Sequence, residues 1–220
     1  KAPEATRQQL DEAVQSARRA QPGWASLSWS ARRNLLLEWA NRLMANQHEL
    51  ACLITLEQGK PFPRAMDEVT RAVGQLQRLV ALDMPREVVQ EANGSPVHLT
   101  YKPLGVVGAI TPWNMPLVLS VPKAVHALLT GNTVVLKPSP NTPLATLRAG
   151  ELAADVFPAG VLNVISGGNA LGQWMTEHPG FDKISFTGSV ATGKRVMASA
   201  AGTLKRVTLE LGGNDAAIVL

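Results

Sequence analysis

Five short segments of the chain combine glycine or proline with side chains that can donate hydrogen bonds, accept protons or bind a phosphate. They follow apolar, β-prone stretches and are segments 111–114, 137–140, 166–168, 187–189 and 210–214. Thr187-Gly188-Ser189 opens a predicted helix, whose free N–H groups and positive dipole end suit a phosphate. Glu210 would place a carboxylate at the end of an apolar strand. Gly-rich turns occur in every α/β protein, so it is the set of five that predicts a site.

Alternating strands and helices would bring the five segments together. We expect strands at 106–110, 133–137, 162–165, 183–186, 207–210 and 216–220. The expected helices between them are about 116–129, 143–156, 170–177 and 190–201. Thr142 and Pro143 suit the N-cap and first position of the second of these helices. The predicted fold class is therefore α/β, with a Rossmann-like open parallel sheet and flanking helices, whose ligands bind outside the carboxyl ends of the strands.

The spacing of apolar residues differs in the first part of the chain, where it predicts an N-terminal helical segment followed by a β-hairpin arm. Apolar residues recur at helical spacing over about residues 10–57, stop at Gly59-Lys60-Pro61 and resume over 65–82. Residues 85–102 instead favour a hairpin, with its turn at Asn93-Gly94. The helical part and the hairpin thus precede the alternating part.

Composition excludes several classes of protein. With 45% apolar and 17% charged residues, the chain is typical of a folded protein. The net charge of +4 is scattered without a basic run, so we expect no nucleic-acid partner. The uncharged stretch 103–122 contains too much glycine and proline for a transmembrane helix, and we expect no membrane partner. Cys52 is the only cysteine and the 4 histidines are scattered, so we expect no metal site and a cytoplasmic location.

The usual dinucleotide fingerprint G-x-G-x-x-G does not follow the first predicted strand, and no Walker lysine motif is present. The strand-end segments instead resemble the aldehyde dehydrogenase superfamily. The residues that carry the resemblance are ITPWNMP at 110–116, GNTVVLKPS at 131–139, FTGS at 186–189 and LELGGN at 209–214. They stand in the family's order and at its spacing over most of the chain. Segment 57–61, EQGKP, also looks like the family's N-terminal region.

The resemblance implies oxidation of an aldehyde to a carboxylic acid through a cysteine thioester, with NAD or NADP accepting the hydride. Asn114 matches the side-chain amide that holds the thiohemiacetal oxyanion, and such a donor typically lowers the barrier by about 3 kcal/mol. Glu210 matches the general base that activates water against the thioester. From the residues alone, Asn114 could instead cap the next helix, and Glu210 could pair with Lys205 or Arg206.

The resemblance also implies a cofactor site. Lys137 and Ser139 match positions that contact the adenosine ribose, whereas Trp113, Gly188 and Ser189 match the wall around the pyrophosphate. The alternative for Lys137 is an ordinary solvated lysine at a strand end. All cofactor-binding residues implied in this way are Ile110, Thr111, Pro112, Trp113, Lys137, Ser139, Pro140, Gly167, Phe186, Thr187, Gly188, Ser189, Gly193, Leu211 and Gly212.

Two features depart from the family's pattern. Pro140 stands where many NAD-preferring members have a glutamate that chelates the ribose hydroxyls, so the preference between NAD and NADP stays open. The family's nucleophilic cysteine follows the Glu-Leu-Gly-Gly segment by a few dozen residues, and we expect it beyond Leu220. Cys52 stands in an apolar helical context and is interpreted as an inert core thiol.

The expected organisation has four parts: N-terminal helices of the cofactor domain (1–84), an oligomerisation hairpin (85–102), the NAD(P)-binding α/β domain (103–214) and the start of a catalytic domain (215–220). The expected partners are a small-molecule aldehyde and further copies of the chain, as a homodimer or homotetramer of the full-length protein. This chain alone is expected to be inactive. Two alternatives stay open: a non-catalytic nucleotide-binding module, and a structural protein with the same fold.

Overall fold

Four helices form the first part of the chain in the computed structural model, which describes residues 2–84, 87–92 and 95–219. They are α1 (Arg7–Ser26), α2 (Trp29–Ala45), α3 (Gln47–Gln58) and α4 (Phe62–Val80). Thr6 and Gln9 start α1 with a reciprocal capping box. Gly59 ends α3 in the left-handed conformation, with φ of 79°, which glycine adopts without a steric penalty. The predicted helical segment and its stop at Gly59 are confirmed.

A β-hairpin follows the helices, as predicted. β1 (Glu87–Ala92) and β2 (Ser95–Leu99) pair antiparallel, with Glu87 opposite Leu99 and Ala92 opposite Ser95. The predicted turn at Asn93-Gly94 lies outside the described residues.

The rest of the chain alternates between strands and helices. The elements are β3 (Val106–Ile110), α5 (Pro116–Leu129), β4 (Thr133–Lys137), α6 (Leu144–Glu151), β5 (Leu162–Val164), α7 (Asn169–Glu177), β6 (Lys183–Thr187), α8 (Val190–Ala201) and β7 (Arg206–Glu210). The last five strands form one parallel sheet in the order β5-β4-β3-β6-β7. The chain moves outward from β3 to β5 and then returns to the other side of β3, so a topological switch point lies between β3 and β6. The predicted α/β fold class is confirmed.

Buried side chains cover both faces of the central strands β3 and β4, as a parallel sheet requires. On one face, Trp24 and Trp39 pack edge-on against Phe157, with ring centroids 5.8 and 5.7 Å apart. Each indole N–H donates to a backbone carbonyl, at 2.9 Å to Leu128 and 3.0 Å to Ala149. On the other face, α1, α7 and α8 pack through side chains that include the buried Leu10, Leu171 and Val196. The helices that carry these contacts hold the strands in register.

Two sequence expectations about secondary structure are wrong. Residues 216–219 of the expected strand 216–220 form no strand, because an extended apolar segment needs a ladder partner and none of the described residues provides one. The helix expected over 143–156 is α6, which ends already at Glu151 and begins at Leu144 without a cap from Thr142. The carboxylate of Glu57 instead accepts the N–H groups of Leu144 and Ala145, at 2.6 and 3.1 Å.

Candidate active site

The register of the parallel sheet brings the ends of the strands together. Ile110 lies opposite Lys137 on one side and Phe186 on the other, and Thr187 lies opposite Glu210. The five polar and Gly-rich segments therefore lie at the carboxyl ends of β3 to β7, which we call the carboxyl edge. This placement agrees with the sequence expectation.

Asn114 lies in the loop between β3 and α5, residues 111–115, and its side chain is exposed. The cap position of α5 is occupied by Met115, and no side chain there bonds to the helix. The first free N–H groups of α5 are instead met by the buried Glu68, whose Oε1 accepts from Leu117 at 3.0 Å and Val118 at 3.5 Å. The structure therefore does not support the interpretation of Asn114 as a helix cap.

Side chains at and near the end of α3, together with Thr142, donate hydrogen bonds to backbone carbonyls of this loop. The side-chain amide of Gln58 donates to the carbonyl of Trp113 at 2.9 Å and to that of Asn114 at 2.6 Å. Lys60 Nζ donates to the carbonyl of Asn114 at 3.2 Å and also pairs with Glu68. The hydroxyl of Thr142 donates to the carbonyl of Trp113 at 3.2 Å. Sequence reasoning missed Gln58 and Glu68, although the EQGKP segment was a signal.

Glu210 ends β7, and its exposed side chain lines a cavity of about 1120 Å³. It forms no ion pair within residues 2–84, 87–92 and 95–219. Lys205 instead donates to the carbonyls of Thr176 and His178, at 2.9 and 2.6 Å. The alternative of an ion pair between Glu210 and Lys205 is therefore not realised.

Lys123 lines the same cavity and was missed from the sequence. Its Nζ donates to Ser185 Oγ at 2.9 Å. Burial lowers the pKa of Lys123, and the negative charge of Glu210 partly offsets this effect. The signal was available, because Lys123 is the only residue among Lys, Arg, Asp and Glu in the apolar helix α5.

The turn after β6 is tightly packed. A Cβ atom on Gly188 would lie 2.5 Å from the ring of Phe186, and one on Gly193 would lie 2.5 Å from the side chain of Leu211. Ser189 is the N-cap of α8, where its Oγ accepts from the N–H of Thr192 at 3.2 Å. The two glycines therefore allow the start of α8 to lie close against the carboxyl edge.

Lys137 is only 4% exposed, so the alternative of a solvated strand-end lysine is wrong. Its Nζ donates to the carbonyl of Pro138 at 3.3 Å. Burial lowers the pKa of Lys137 to about 8, and the charge of Glu4 partly opposes this effect. Ser139 is also buried and its Oγ accepts from the N–H of Asn141 at 3.3 Å, whereas Pro140 is exposed.

Cys52 is partly buried rather than a core residue, which corrects the sequence expectation. The buried face of α3 carries Leu50, Ala51 and Ile54, and Cys52 lies one residue off this face. Its Sγ lies 3.7 Å from Nδ1 of His48.

Neither a metal site nor a membrane-crossing helix is found among the described residues. Throughout the part of the chain that the structure describes, no three His, Cys, Asp or Glu side chains are grouped so that they could hold a metal ion. None of the helices there is both long and apolar enough to cross a membrane.

A sequence model described as the aldehyde dehydrogenase family matches residues 1–220. The chain belongs to the aldehyde dehydrogenase family. It is similar to the aldehyde dehydrogenase LUC3 of a Fusarium species, with 43% identity over 218 residues, which are 99% of this chain and 46% of LUC3. The chain thus spans about half the length of the curated aldehyde dehydrogenases that it matches.

Solved structures of similar sequence have the same fold. PnpE from Pseudomonas sp. WBC-3, crystallised in complex with nicotinamide adenine dinucleotide, is 40% identical and superposes with a TM-score of 0.92 over 96% of this chain and 44% of PnpE. An enzyme from E. coli described as NADP dependent is 37% identical, with a TM-score of 0.93 over 97% of this chain and 45% of that enzyme.

Proposed function

We propose that the full-length protein containing this chain oxidises an aldehyde to a carboxylic acid through a cysteine thioester, with NAD or NADP as cofactor. The observation that carries this proposal is the register of β3, β6 and β7, which sets the loop of Asn114, the turn 187–189 and Glu210 at neighbouring strand ends of the carboxyl edge. Membership of the aldehyde dehydrogenase family supports the reaction type. The NAD complex of PnpE and the NADP dependence of the E. coli enzyme support a nicotinamide dinucleotide.

The polar groups of the carboxyl edge fit a dinucleotide. Thr111 is 4% exposed, and its Oγ1 has no hydrogen-bond partner within the described residues. The first N–H groups of α8 favour a pyrophosphate next to Gly188-Ser189 and Trp113. Lys137 and Ser139 would contact the adenosine ribose. The other residues that we propose for this site are Ile110, Pro112, Pro140, Gly167, Phe186, Thr187, Gly193, Leu211 and Gly212.

Asn114 and Glu210 would act on the reacting groups in the two halves of the reaction. When bound, the dinucleotide accepts the hydride from the aldehyde carbon. The amide of Asn114 would donate a hydrogen bond to the oxyanion formed when a thiolate attacks the carbonyl, because a fixed donor there stabilises the developing charge. Glu210 would take a proton from the water that attacks the thioester. Lys123 lines the same cavity, and the negative charge of Glu210 raises its pKa.

An activity assay separates this proposal from its two alternatives. The full-length protein is tested against a panel of aldehydes with either cofactor, and reduced cofactor is followed by absorbance. We expect turnover from the full-length protein and none from residues 1–220 alone, because Cys52 is the only cysteine there and is interpreted as an inert thiol. Turnover by residues 1–220 that disappears in their Cys52→Ala variant would overturn this interpretation of Cys52. Cofactor binding without turnover in the full-length protein would favour a nucleotide-binding module. Neither binding nor turnover would favour a structural protein.

We also propose the organisation and the assembly expected from the sequence. The division into 1–84, 85–102, 103–214 and 215–220 is supported at its first two boundaries, where the helices are followed by the hairpin and the hairpin by the alternating strands and helices. The hairpin is proposed as the arm of a homodimer or homotetramer, and the exposure of Val97, Leu99 and Tyr101 supports this role.

A cytoplasmic location is proposed because the chain has a single, unpaired cysteine.

A further inference from the structure

The structure assigns a role to Gln58, Lys60 and Glu68: we propose that they are positioning residues that hold Asn114 in the orientation needed to stabilise the oxyanion. This inference rests on the proposed function, in which the amide of Asn114 is the oxyanion donor. All three residues act on Asn114 through the loop 111–115 and the start of α5.

The carbonyl of Asn114 is fixed by two donors from one short segment. Gln58 and Lys60 both donate to it, and Gln58 also reaches the carbonyl of Trp113. The opposite orientation of the Gln58 amide would direct its oxygen at two carbonyl oxygens, so only one orientation is favourable. Gly59 makes this double contact feasible, because its left-handed backbone turns the chain between the two side chains. Two consecutive peptide groups of the loop are thereby held against the end of α3.

Glu68 fixes the other side of Asn114. Its carboxylate is 1% exposed, pairs with Lys60 and accepts the N–H group of Leu117 at the start of α5. A negative charge at a helix N-terminus is stabilised by the helix dipole. A buried carboxylate without a partner is strongly unfavourable. Glu68 therefore fixes the position of the Lys60 ammonium group as well as the start of α5. Lys60 therefore connects the start of α5 to the backbone of Asn114.

The side chain of Asn114 depends on this backbone support. It makes no hydrogen bond of its own to any residue that the structure describes. The backbone of residue 114, which the three positioning residues hold, therefore sets where its Cβ lies and which positions its amide can reach. A displacement of about 1 Å in a group that acts on the reacting atoms can slow a reaction about 100-fold. Loss of the Gln58 contacts should thus slow oxyanion formation.

The test uses the full-length enzyme with Gln58→Leu and, as a matched control, Gln8→Leu. Gln8 lies exposed on α1, where its amide donates to Glu12 at 2.9 Å, so the control makes the same chemical change far from the loop. The first turnover is followed by stopped-flow absorbance of reduced cofactor. At saturating cofactor, we expect Gln58→Leu to slow it about 10- to 100-fold and Gln8→Leu to leave it unchanged.

A double-mutant cycle with Asn114→Ala distinguishes positioning from general structural support. Asn114→Ala alone should slow the first turnover about 100- to 1000-fold. Adding Gln58→Leu to Asn114→Ala should then cause little further loss, because the group that Gln58 positions is gone. An equal loss in both backgrounds, or no loss from Gln58→Leu alone, would overturn the positioning role. No loss from Asn114→Ala would instead refute its proposed function as oxyanion donor.

Lys60 provides a second variant if Gln58→Leu does not fold. Lys60→Met removes the donor, whereas Lys60→Arg keeps a charged donor of similar length. We expect Lys60→Met to slow the first turnover about 10-fold or more and Lys60→Arg to recover most of the rate. Equal rates for the two Lys60 variants and wild type would contradict the proposal.

Discussion

Replacement of Lys137 by methionine should make the protein more stable at neutral pH and weaken its cofactor binding. Lys137 is 4% exposed, and burial lowers its pKa from 10.5 to about 8. At about 1.4 kcal/mol per pKa unit, this difference means that the charged lysine destabilises the folded state by about 3 kcal/mol. Methionine has a similar length and carries no charge, so the substitution should remove this unfavourable contribution.

The effect should depend on pH in a defined way. Below about pH 8, Lys137 is protonated in both the folded and the unfolded state, and the full difference of about 3 kcal/mol favours Lys137→Met. Between about pH 8 and 10.5, the unfolded state binds more protons than the folded state, so the stability of the wild type rises with pH. The advantage of the variant should therefore shrink across this interval and vanish above it.

Urea unfolding of the full-length protein measures this stability difference. Tryptophan fluorescence reports on the part of interest, because Trp24 and Trp39 are buried in the core beside the sheet. The free energy of unfolding is compared at pH 7, 9 and 10.5 for wild type, Lys137→Met and Lys194→Met, whose lysine is exposed on α8. The reasoning would be refuted if Lys137→Met were no more stable than Lys194→Met at pH 7, or if its advantage were the same at all three pH values.

Cofactor affinity should change in the opposite direction to stability. Lys137 would contact the adenosine ribose, and a hydrogen bond from a charged donor contributes about 1.5–3 kcal/mol. Lys137→Met should therefore raise the dissociation constant for the dinucleotide about 10- to 100-fold, as measured by titration calorimetry. A variant that is more stable and binds the cofactor as tightly as wild type would show that Lys137 does not reach the ribose.

Three further substitutions test other parts of the site. Glu210→Gln should still release about one equivalent of reduced cofactor in a rapid burst, but it should lower steady-state turnover about 100-fold or more because hydrolysis of the thioester needs the base. Normal turnover would refute the role of Glu210 as that base. Pro140→Glu should raise the ratio of kcat/KM for NAD to that for NADP, because a carboxylate repels a 2′-phosphate, and an unchanged ratio would place residue 140 away from the ribose. Glu57→Ala should lower the free energy of unfolding by about 1 kcal/mol in urea, because two N–H groups of α6 lose their acceptor; an unchanged value would mean that water replaces it.

Much of the framework was predictable because its signals lie within a few residues of one another. Strands β3 and β4 and helices α5 and α8 have the predicted bounds, and Gly59 ends α3 where the Gly-Lys-Pro segment predicted a stop. Each of these features follows from local apolar periodicity or from the backbone freedom of one residue. The meeting of the strand ends then followed from the parallel topology, which places all carboxyl ends at one edge.

The chain's expected fold class and the residues at the carboxyl edge were thus determined by the sequence itself, but the supports of that edge were decided by tertiary structure. Glu57 replaces Thr142 as the cap of α6, and Gln58 reaches the carbonyl of Asn114 from 56 positions earlier in the chain. Residues 216–219 show the same dependence, because a strand needs a partner that local pattern cannot supply. Burial of Lys137 likewise depends on how neighbouring elements pack around it. Local patterns encode which elements form, whereas hydrogen bonds and desolvation between distant segments exist only once those elements have packed.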